Sequence, residues 1–420
     1  MYVSSQEDHG TGKTTIIKAM LDIYKQHGKK PVLCAPTGRA AKRMTETTGE
    51  EAKTLHRLLE LKSVDMEEER DTIEIDLAPI DADIIIVDEV SMVDTFLMYY
   101  LLQSVYMGTK LVLVGDADHL PSVGPGNVLK DFIMSEQIPT ITLNKIFRQA
   151  AQSKIIVNAH KVNEGQPFIS GEDAQGLQDD FFFIGDPKKE SILQNILSLS
   201  NGRLRHYGNY DFFKHIQIIT PTRKGELGTK ELNKVLQETL NPKEEGKQEK
   251  KFGETIFRVG DRIMQIRNNY EIFWEKRTPE YETGTGVFNG ELGHIMGIDE
   301  DNKQLKIQFD DEKVAWYAFQ DLEQIDHAYA ITVHKAQGSE FDVVIMPIFQ
   351  TAPMLLTRNL LYTAMTRAKK LLILVGNKNV VQYMIQNEDN KKRNTGILWK
   401  MHQEKNDKRS KKKVKLCMIL

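Results

Sequence analysis

The sequence predicts an α/β fold in which parallel sheets are covered by helices on both faces. Short apolar runs bounded by turn residues recur along the chain, and helix-periodic segments lie between several of them. Strands that are apolar on both faces are typical of parallel sheets buried between helices. The runs with strand character are Pro31–Ala35, Ile84–Val87, Leu111–Val114, Ile216–Ile219, Val343–Ile348 and Leu371–Val375. The helix-periodic segments are Thr14–Lys25, Gly38–Thr47 and Arg358–Arg367.

One region departs from this alternation. From about Gly253 to Phe319 the pattern is that of strands with a single apolar face, as in Leu305, Ile307 and Phe309. Such alternation predicts a small antiparallel β module, which we place at residues 246–325. The first α/β domain would then comprise residues 1–145, and the second would comprise residues 146–245 and 326–392.

Two further segments differ in composition from the rest. Residues 64–81 are acidic and contain a short alternating run at Thr72–Leu77, so a solvated loop and a projecting hairpin both remain open. Residues 393–420 include a lysine-rich stretch, and we expect a disordered basic tail there.

The composition is that of an ordinary globular protein. The 420 residues are 40% hydrophobic and 27% charged, which suits two or three domains. The formal net charge of −3 means that contact with a nucleic acid needs a local basic groove. Cys34 and Cys417 offer neither a disulfide framework nor a zinc-ligand spacing. Because no apolar run approaches the roughly 20 residues of a membrane span, and no secretory signal is evident, we expect a soluble cytoplasmic protein.

The segment Gly10-Thr11-Gly12-Lys13-Thr14-Thr15 opens a predicted helix and is typical of a phosphate-binding loop. Its glycines allow backbone N–H groups to surround phosphate oxygens, while Lys13 would reach the terminal phosphates and Thr14 would bind Mg²⁺. The full pattern also requires a glycine five residues before Gly12, where this chain has Glu7. The sequence therefore predicts an ATP site whose front half is altered.

Acidic residues follow two of the predicted buried strands. Ile84–Val87 is followed by Asp88 and Glu89, and Leu111–Val114 is followed by Gly115-Asp116. Because parallel strands place their carboxyl ends at one edge of a sheet, we expect these residues to meet the phosphate-binding loop. Asp88 would hold Mg²⁺, and Glu89 would orient and activate the attacking water.

Phosphoryl transfer also needs positive charge where the transition state spreads negative charge. The candidates are Arg148 in Ile146-Phe147-Arg148-Gln149, and Arg367 in Tyr362-Thr363-Ala364-Met365-Thr366-Arg367. Either arginine taken alone is more often a surface residue.

An ordered set of segments carries a family resemblance. They are Gly10–Thr15, Ala35–Ala41, Thr54–Leu59, Val87–Glu89, Leu120–Gly126, Ile146–Gln149, Thr220–Gly228 and Ile331–Glu340. Together they resemble superfamily 1B DNA helicases of the RecD-like family, from about Thr11 to Gly376.

The resemblance implies two RecA-like P-loop NTPase domains with ATP and Mg²⁺ between them. It further implies that the inserted module is a small barrel of the Src-homology-3 type and that residues 64–81 form a strand-splitting hairpin. Arg367 would be the arginine finger, and Arg148 would contact the γ-phosphate. The nucleotide would contact Gly10, Thr11, Gly12, Lys13, Thr14, Thr15, His119, Gln337 and Gly338.

Single-stranded DNA, or DNA with a 5′ overhang, is the implied partner, and the implied direction of movement is 5′→3′. The residues that would hold DNA phosphates are Thr37, Arg39, Lys42, Thr332, His334 and Lys335. Contacts of this kind position a strand without reading its sequence. Any nuclease or repair partner is left open.

Departures from the family pattern keep two hypotheses open. Glu7-Asp8-His9 replaces the family's Gly-Gly-Pro, His119 replaces a glutamine, and the chain begins almost at the phosphate-binding loop. The chain is then either an active DNA-stimulated helicase or a DNA-binding fragment that hydrolyses ATP poorly. Cys417-Met418-Ile419-Leu420 also fits a prenylation box, which we interpret as coincidental, so no membrane partner is expected.

Overall fold

The computed structural model describes residues 13–61, 77–143, 152–169, 176–277, 281–388, 393, 395–406 and 415–419. The chain divides into two compact units. The first comprises Met1–Gln152 and Asn390–Leu420, and the second comprises Ser153–Asp389. The segment predicted as a loop or hairpin falls outside the described residues, apart from residues 77–81, in which Ile80 forms an isolated bridge to Val105.

The first unit is built on a parallel sheet. Its elements, in chain order, are α1 (Lys13–Gln26), β1 (Pro31–Ala35), α2 (Gly38–Thr48), β2 (Ala52–Thr54), α3 (Leu55–Leu58), β3 (Ile84–Val87), α4 (Thr95–Ser104), β4 (Lys110–Val114), α5 (Val128–Met134) and β5 (Thr140–Ile141). Strand β1 pairs in parallel with both β2 and β3, and β3 pairs in parallel with β4. The strands predicted at 31–35 and 84–87 are confirmed with these bounds.

Both faces of this sheet are buried. Ile85 and Leu111 belong to a core cluster on one face, whereas Ile86 and Val112 belong to a separate cluster on the other. Full burial of such a side chain stabilises the fold by about 1.5–3 kcal/mol. The successive apolar residues of β3 and β4 are therefore explained by helices covering both faces, as the sequence pattern predicts.

The second unit begins with helices and two strands. They are α6 (Lys154–Asn163), β6 (Phe181–Gly185), α7 (Lys189–Ser198), α8 (Leu204–Gly208), α9 (Phe212–His215), β7 (Ile216–Thr220) and α10 (Thr229–Leu240).

An antiparallel β module comes next in the chain. Its strands are β8 (Glu249–Phe252), β9 (Thr255–Arg258), β10 (Arg262–Gln265), β11 (Asn269–Lys276), β12 (Glu282–Val287), β13 (Leu292–Asp299), β14 (Gln304–Phe309), β15 (Val314–Ala318) and β16 (Ile325–His327). Strands β8 and β9 form a hairpin, and the others form a seven-stranded sheet in the order β12-β11-β15-β14-β13-β10-β16. Its core includes Ile263, Ile295 and Leu305. The predicted antiparallel strands are thus confirmed.

The chain then returns to α/β structure with β17 (Ala330–Thr332), α11 (Val333–Ala336), β18 (Phe341–Ile348), α12 (Arg358–Met365), β19 (Ala368–Gly376) and α13 (Lys378–Gln386). A parallel five-stranded sheet has the order β17-β7-β18-β19-β6. Strands from before and after the antiparallel module thus pair directly, which is the arrangement expected of an inserted module.

The prediction of a disordered tail at 393–420 is wrong for two segments. Helix α14 (Ile397–Asn406) places Ile397 and Met401 against the core of the first unit. Strand β20 (Lys415–Ile419) pairs in parallel with both β4 and β5, which gives the sheet order β2-β1-β3-β4-β20-β5. The lysines between these segments dominate the composition and hide the apolar residues on either side. None of the helices in the described residues is long and apolar enough to cross a membrane.

Candidate functional site

The carboxyl end of β3 carries two acidic residues in a defined arrangement. The Asp88 N–H donates to the carbonyl oxygen of Cys34 on β1 at 2.9 Å, and the Glu89 N–H donates to Asp88 Oδ1 at 2.8 Å. Burial, followed by the neighbouring charge of Glu89, raises the pKa of Asp88 to about 6. The charges of Lys13 and Arg43 oppose this rise. Asp88 is thus a half-buried carboxylate that a bound cation would stabilise.

Glu89 has a left-handed backbone conformation, with φ 53° and ψ 40°. A residue with a Cβ holds this conformation at a cost on the order of 1 kcal/mol, and such residues cluster at functional sites. The turn is stabilised by Met92 N–H, which donates to the Glu89 carbonyl oxygen at 3.0 Å. The conformation directs the chain away from β3 immediately after the two carboxylates.

Lys13 lies near the carboxyl end of β4. Its Nζ is 4.0 Å from Asp116 Oδ2, and His119 Nε2 is 3.7 Å from the same oxygen. A side chain at Gly115 would place a Cβ 2.9 Å from Leu129 Cδ2 and 3.2 Å from the Val90 nitrogen. Glycine therefore allows β4 to end close to the turn that comes after Glu89. The predicted meeting of β3, β4 and the start of α1 at one edge of the sheet is confirmed.

This edge suits Mg²⁺, which prefers oxygen ligands from one or two carboxylates together with phosphate oxygens and water. Burial and the charge of Glu89 raise the pKa of Asp88. A divalent cation would oppose this rise by stabilising the ionised carboxylate. Thr14 and Thr15 begin α1 beside Lys13, as the predicted loop requires. Gly10, Thr11, Gly12 and Arg148 lie outside the described residues.

We expect Asp88→Asn to stabilise the protein in the absence of nucleotide while abolishing magnesium-dependent hydrolysis. The raised pKa of Asp88 means that the folded state holds a proton more tightly than the unfolded state. Stability then falls as pH rises from about 4 to about 6, and a neutral amide removes a penalty on the order of 1–3 kcal/mol at pH 8. Thermal unfolding at pH 5 and pH 8 without nucleotide is the measurement. A variant less stable than wild type at pH 8 would contradict it.

Three predicted DNA contacts of the first unit lie on or just before α2. Thr37 comes after β1, and its Oγ1 accepts a hydrogen bond from Ala40 N–H at 3.2 Å, which caps the helix. Lys42 is exposed and pairs loosely with Glu46 at 3.8 Å. Arg39 lies on the same helix and is half-buried. Thr37 thus has a structural task that is compatible with its hydroxyl donating to a phosphate.

The corresponding residues of the second unit lie around α11. Thr332 caps this helix by accepting from Lys335 N–H at 3.3 Å, and His334 is exposed. Lys335 Nζ donates to Asn289 Oδ1 at 2.8 Å. Burial and the charge of Arg223 lower the pKa of Lys335. A phosphate would relieve the repulsion between these two cations, which supports the prediction for Lys335.

Arg367 is buried, with 3% of its surface exposed, and binds within its own unit. Its Nη1 donates to the Ser339 carbonyl oxygen at 3.2 Å, and its Nε donates to the Thr363 carbonyl oxygen at 3.1 Å. Gln337 ends α11 and is also buried, and Gly338 has a φ of 71°. The structure therefore brings Arg367 next to the predicted nucleotide residues Gln337 and Gly338. Its role as an arginine finger stays a prediction.

Sequence reasoning missed two arginines of the first unit. Arg43 favours the ionised form of Asp88, and its position four residues after Arg39 on α2 is a signal that could have pointed to it. Arg393 donates to three carbonyl oxygens of residues 122–126, far away in the sequence. No local pattern signals that contact.

Family models match three successive parts of the chain. Residues 6–179 match the AAA domain, and residues 232–309 match the SH3 domain of ATP-dependent RecD-like DNA helicases. Residues 327–375 match the UvrD-like helicase C-terminal domain. The second match supports the interpretation of the antiparallel module as a barrel of the Src-homology-3 type.

Curated relatives match nearly the whole chain. The ATP-dependent RecD2 DNA helicase of Deinococcus radiodurans is 34% identical over 389 residues, which cover 93% of this chain and 48% of that protein. An uncharacterized protein of Methanocaldococcus jannaschii is 27% identical over 93% of this chain and 38% of its own length. RecD of the Mycobacterium tuberculosis RecBCD enzyme is 29% identical over 90% of this chain and 67% of its own length. The chain thus spans half or less of the first two relatives.

Solved structures share the fold. A Pif1 helicase from Bacteroides, in complex with ADP-AlF3 and single-stranded DNA, aligns with 96% of this chain and 92% of its own at a TM-score of 0.52 and 19% identity. A second structure, of Pif1 helicases at forked double-stranded DNA, has the same TM-score at 18% identity. These likenesses agree with parallel sheets flanked by helices. Over most of its length the chain is similar to RecD-like DNA helicases.

Proposed function

We propose that this chain is the motor core of an ATP-dependent DNA helicase that moves along single-stranded DNA. The observation that carries the proposal is the meeting of Lys13, Asp116 and the Asp88-Glu89 pair at one edge of a parallel sheet. The names of its relatives support it, since the Deinococcus protein is an ATP-dependent DNA helicase and a structural neighbour was solved with single-stranded DNA.

The chemistry of this edge suits phosphoryl transfer. Bound Mg²⁺ would supply charge neutralisation at the phosphates, and Asp88 would hold it together with Thr14. Lys13 would bind the terminal phosphates. Glu89 would orient the attacking water and accept its proton, a task that needs an ionised carboxylate beside the phosphate. Arg367 and Arg148 would stabilise the charge that develops on the transferred group.

In each unit, the residues proposed to contact DNA lie close in the chain to residues proposed to act at the nucleotide. In the first unit, α2 carries Arg39 and Lys42 together with Arg43, whose charge acts on Asp88. In the second, Thr332 and Lys335 lie just before Gln337, next to the loop that Arg367 binds through Ser339. If DNA binding shifted α2 or residues 332–335, the residues proposed to contact the nucleotide would therefore move as well. Movement in the 5′→3′ direction on DNA with a 5′ overhang is part of the proposal.

The deciding experiment is ATP turnover with and without single-stranded DNA, for wild type and for Lys13→Ala. We expect DNA to stimulate wild-type turnover, and Lys13→Ala to lower it by roughly 10²-fold or more because the charge at the terminal phosphates is lost. The control is Lys18→Ala, which removes an exposed lysine of the same helix. We expect it to leave ATP turnover and its stimulation by DNA unchanged.

Two outcomes would separate the hypotheses. DNA binding without turnover above the Lys13→Ala level would reject the active motor and favour the hydrolysis-impaired alternative. Failure to bind single-stranded DNA would reject both. Duplexes with a 5′ or a 3′ overhang then test the direction, since a 5′→3′ helicase separates only the former.

A further inference from the structure

Arg393 binds the loop that comes after β4. Its Nη1 donates to the carbonyl oxygens of Ser122 at 2.8 Å, Gly124 at 2.8 Å and Gly126 at 3.0 Å. One guanidinium nitrogen carries two N–H groups, so at least one of them is shared between two carbonyls. Hydrogen bonds from a charged donor are roughly twice as strong as neutral ones. Residues 120–126 form a loop, here called the 120–126 loop. One cationic nitrogen of Arg393 thus binds the carbonyl oxygens of three alternate residues of this loop.

The opposite side of the same loop packs against the start of α4. Thr95 N–H donates to the Pro125 carbonyl oxygen at 2.9 Å. A Cβ at Gly124 would lie 1.9 Å from Asp94 Oδ2, and one at Gly126 would lie 2.0 Å from Thr95 Oγ1. The loop is thus held between α4 and Arg393, with glycines where the backbone comes close to the helix.

This loop is continuous with the residues beside Lys13. His119 N–H donates to the Asp116 carbonyl oxygen at 3.3 Å, and Asp118 N–H donates to Asp116 Oδ1 at 2.9 Å. Leu120, the first residue of this loop, is buried and fixes the chain next to His119. A displacement of the loop would therefore move His119 and Asp116 relative to Lys13.

The segment that carries Arg393 has its own anchors on the first unit. Thr395 Oγ1 donates to Asp131 Oδ2 on α5, and Gln137 Nε2 donates to the Met401 carbonyl oxygen. Ile397 and Met401 pack on the same core. These contacts hold the segment without Arg393, so the arginine is available to act on the loop.

We propose that Arg393 is a positioning residue for ATP hydrolysis, which holds the 120–126 loop and through it sets His119 and Asp116 beside Lys13. The inference rests on the proposed function of the chain. Arg393 acts through backbone carbonyls and is not itself a catalytic residue.

The test compares Arg393→Ala, Arg393→Lys and Thr395→Val in the full chain. Thr395→Val is the matched control because it weakens the anchoring of the same segment to α5 and leaves the three carbonyl contacts intact. Turnover per nucleotide-binding site and the KM for ATP are measured with saturating single-stranded DNA. Amide hydrogen exchange of residues 119–127 is measured without nucleotide, which makes that readout independent of hydrolysis.

We expect Arg393→Ala to lower kcat between about tenfold and 10²-fold, with little change in KM, because the loop contributes geometry rather than ATP affinity. Exchange in residues 119–127 should rise. Lysine, whose ammonium has three N–H groups, should restore part of kcat. Thr395→Val should lower the melting temperature without either effect.

Other outcomes overturn the inference. It fails if Arg393→Ala keeps the wild-type kcat per site, if exchange of the loop is unchanged, or if Thr395→Val loses kcat to the same extent. A wild type no more active than Lys13→Ala instead rejects the proposed function, and the exchange measurement still decides whether Arg393 orders the loop.

Discussion

Glu89→Gln is expected to lower DNA-stimulated ATP turnover by roughly 10²- to 10⁴-fold, which is the usual contribution of a positioned general base. The glutamine side chain has nearly the same shape but cannot accept the proton of the attacking water. Loss of the charge beside Asp88 should also lower the pKa of that carboxyl, since Glu89 is one of the causes of its rise. ATP and Mg²⁺ should therefore bind at least as tightly as in wild type. The measurement is turnover together with binding of a fluorescent ATP analogue.

The chain offers a matched control for this substitution. Glu136 is exposed and also has a left-handed backbone, with a φ of 54°, but it lies in the turn after α5. Glu136→Gln tests whether replacing a glutamate in this conformation has an effect by itself, and we expect none. Equal turnover in Glu89→Gln and wild type would show that another group activates the water. Loss of nucleotide binding would show that Glu89 is needed for structure.

Much of the site was predictable because its residues come directly after buried strands. The apolar run Ile84–Val87 predicts both β3 and the position of Asp88 and Glu89, since parallel strands bring the residues after their carboxyl ends to one edge of the sheet. The same argument predicts that Asp116 lies near Lys13, which the 4.0 Å distance confirms. These are consequences of local pattern and sheet geometry, and they do not need long-range information.

Contacts between distant segments were not predictable in this way. Arg393 binds carbonyl oxygens of residues 122–126, and backbone carbonyls leave no trace in a sequence. Strand β20 was not predicted because lysines precede it and make the segment look solvent-exposed. Composition does not show that β4 has a free edge on which another strand can pair. The left-handed turn at Glu89 also escapes prediction, since non-glycine residues adopt it rarely.

Asp261 is another residue whose importance appears only in the structure. It is fully buried where the antiparallel module meets α10 and β17. Polar groups at 2.7–2.9 Å surround both of its carboxylate oxygens: Gln237 Nε2, Arg258 N–H and His327 Nε2 at Oδ2, and Asn241 Nδ2 and Tyr329 O–H at Oδ1. One carboxylate thus joins the module to the α/β part of the second unit.

Burial works against the ionised form of Asp261, but the hydrogen bond and charge of His327, with the bonds from Asn241 and Arg258, lower its pKa overall. The folded pKa lies below the unfolded one, so the ionised carboxylate contributes stability above about pH 4. That contribution is lost as pH falls through the folded value. As pH falls, this junction should therefore be destabilised at a higher pH than the apolar cores.

Asp261→Asn is expected to destabilise the second unit by about 3–5 kcal/mol at pH 7, as when one partner of a buried charged network is removed. Asparagine keeps the shape but turns an NH₂ group toward neighbours that are themselves donors, so the substitution should be nearly as harmful as Asp261→Ala. Urea unfolding monitored by tryptophan fluorescence gives the free energy, since Trp274 and Trp316 lie in the module.

The exposed Asp301, in the turn after β13, provides the control, and Asp301→Asn should change stability by less than about 0.5 kcal/mol. The dependence on pH separates a charged junction from a merely well-packed one. Wild type and Asp301→Asn should both lose stability as pH falls below about 4, whereas Asp261→Asn should lose less over the same range because its side chain does not titrate. Equal acid sensitivity in all three proteins would mean that the carboxylate of Asp261 is replaceable, and that apolar packing alone holds the module to α10 and β17.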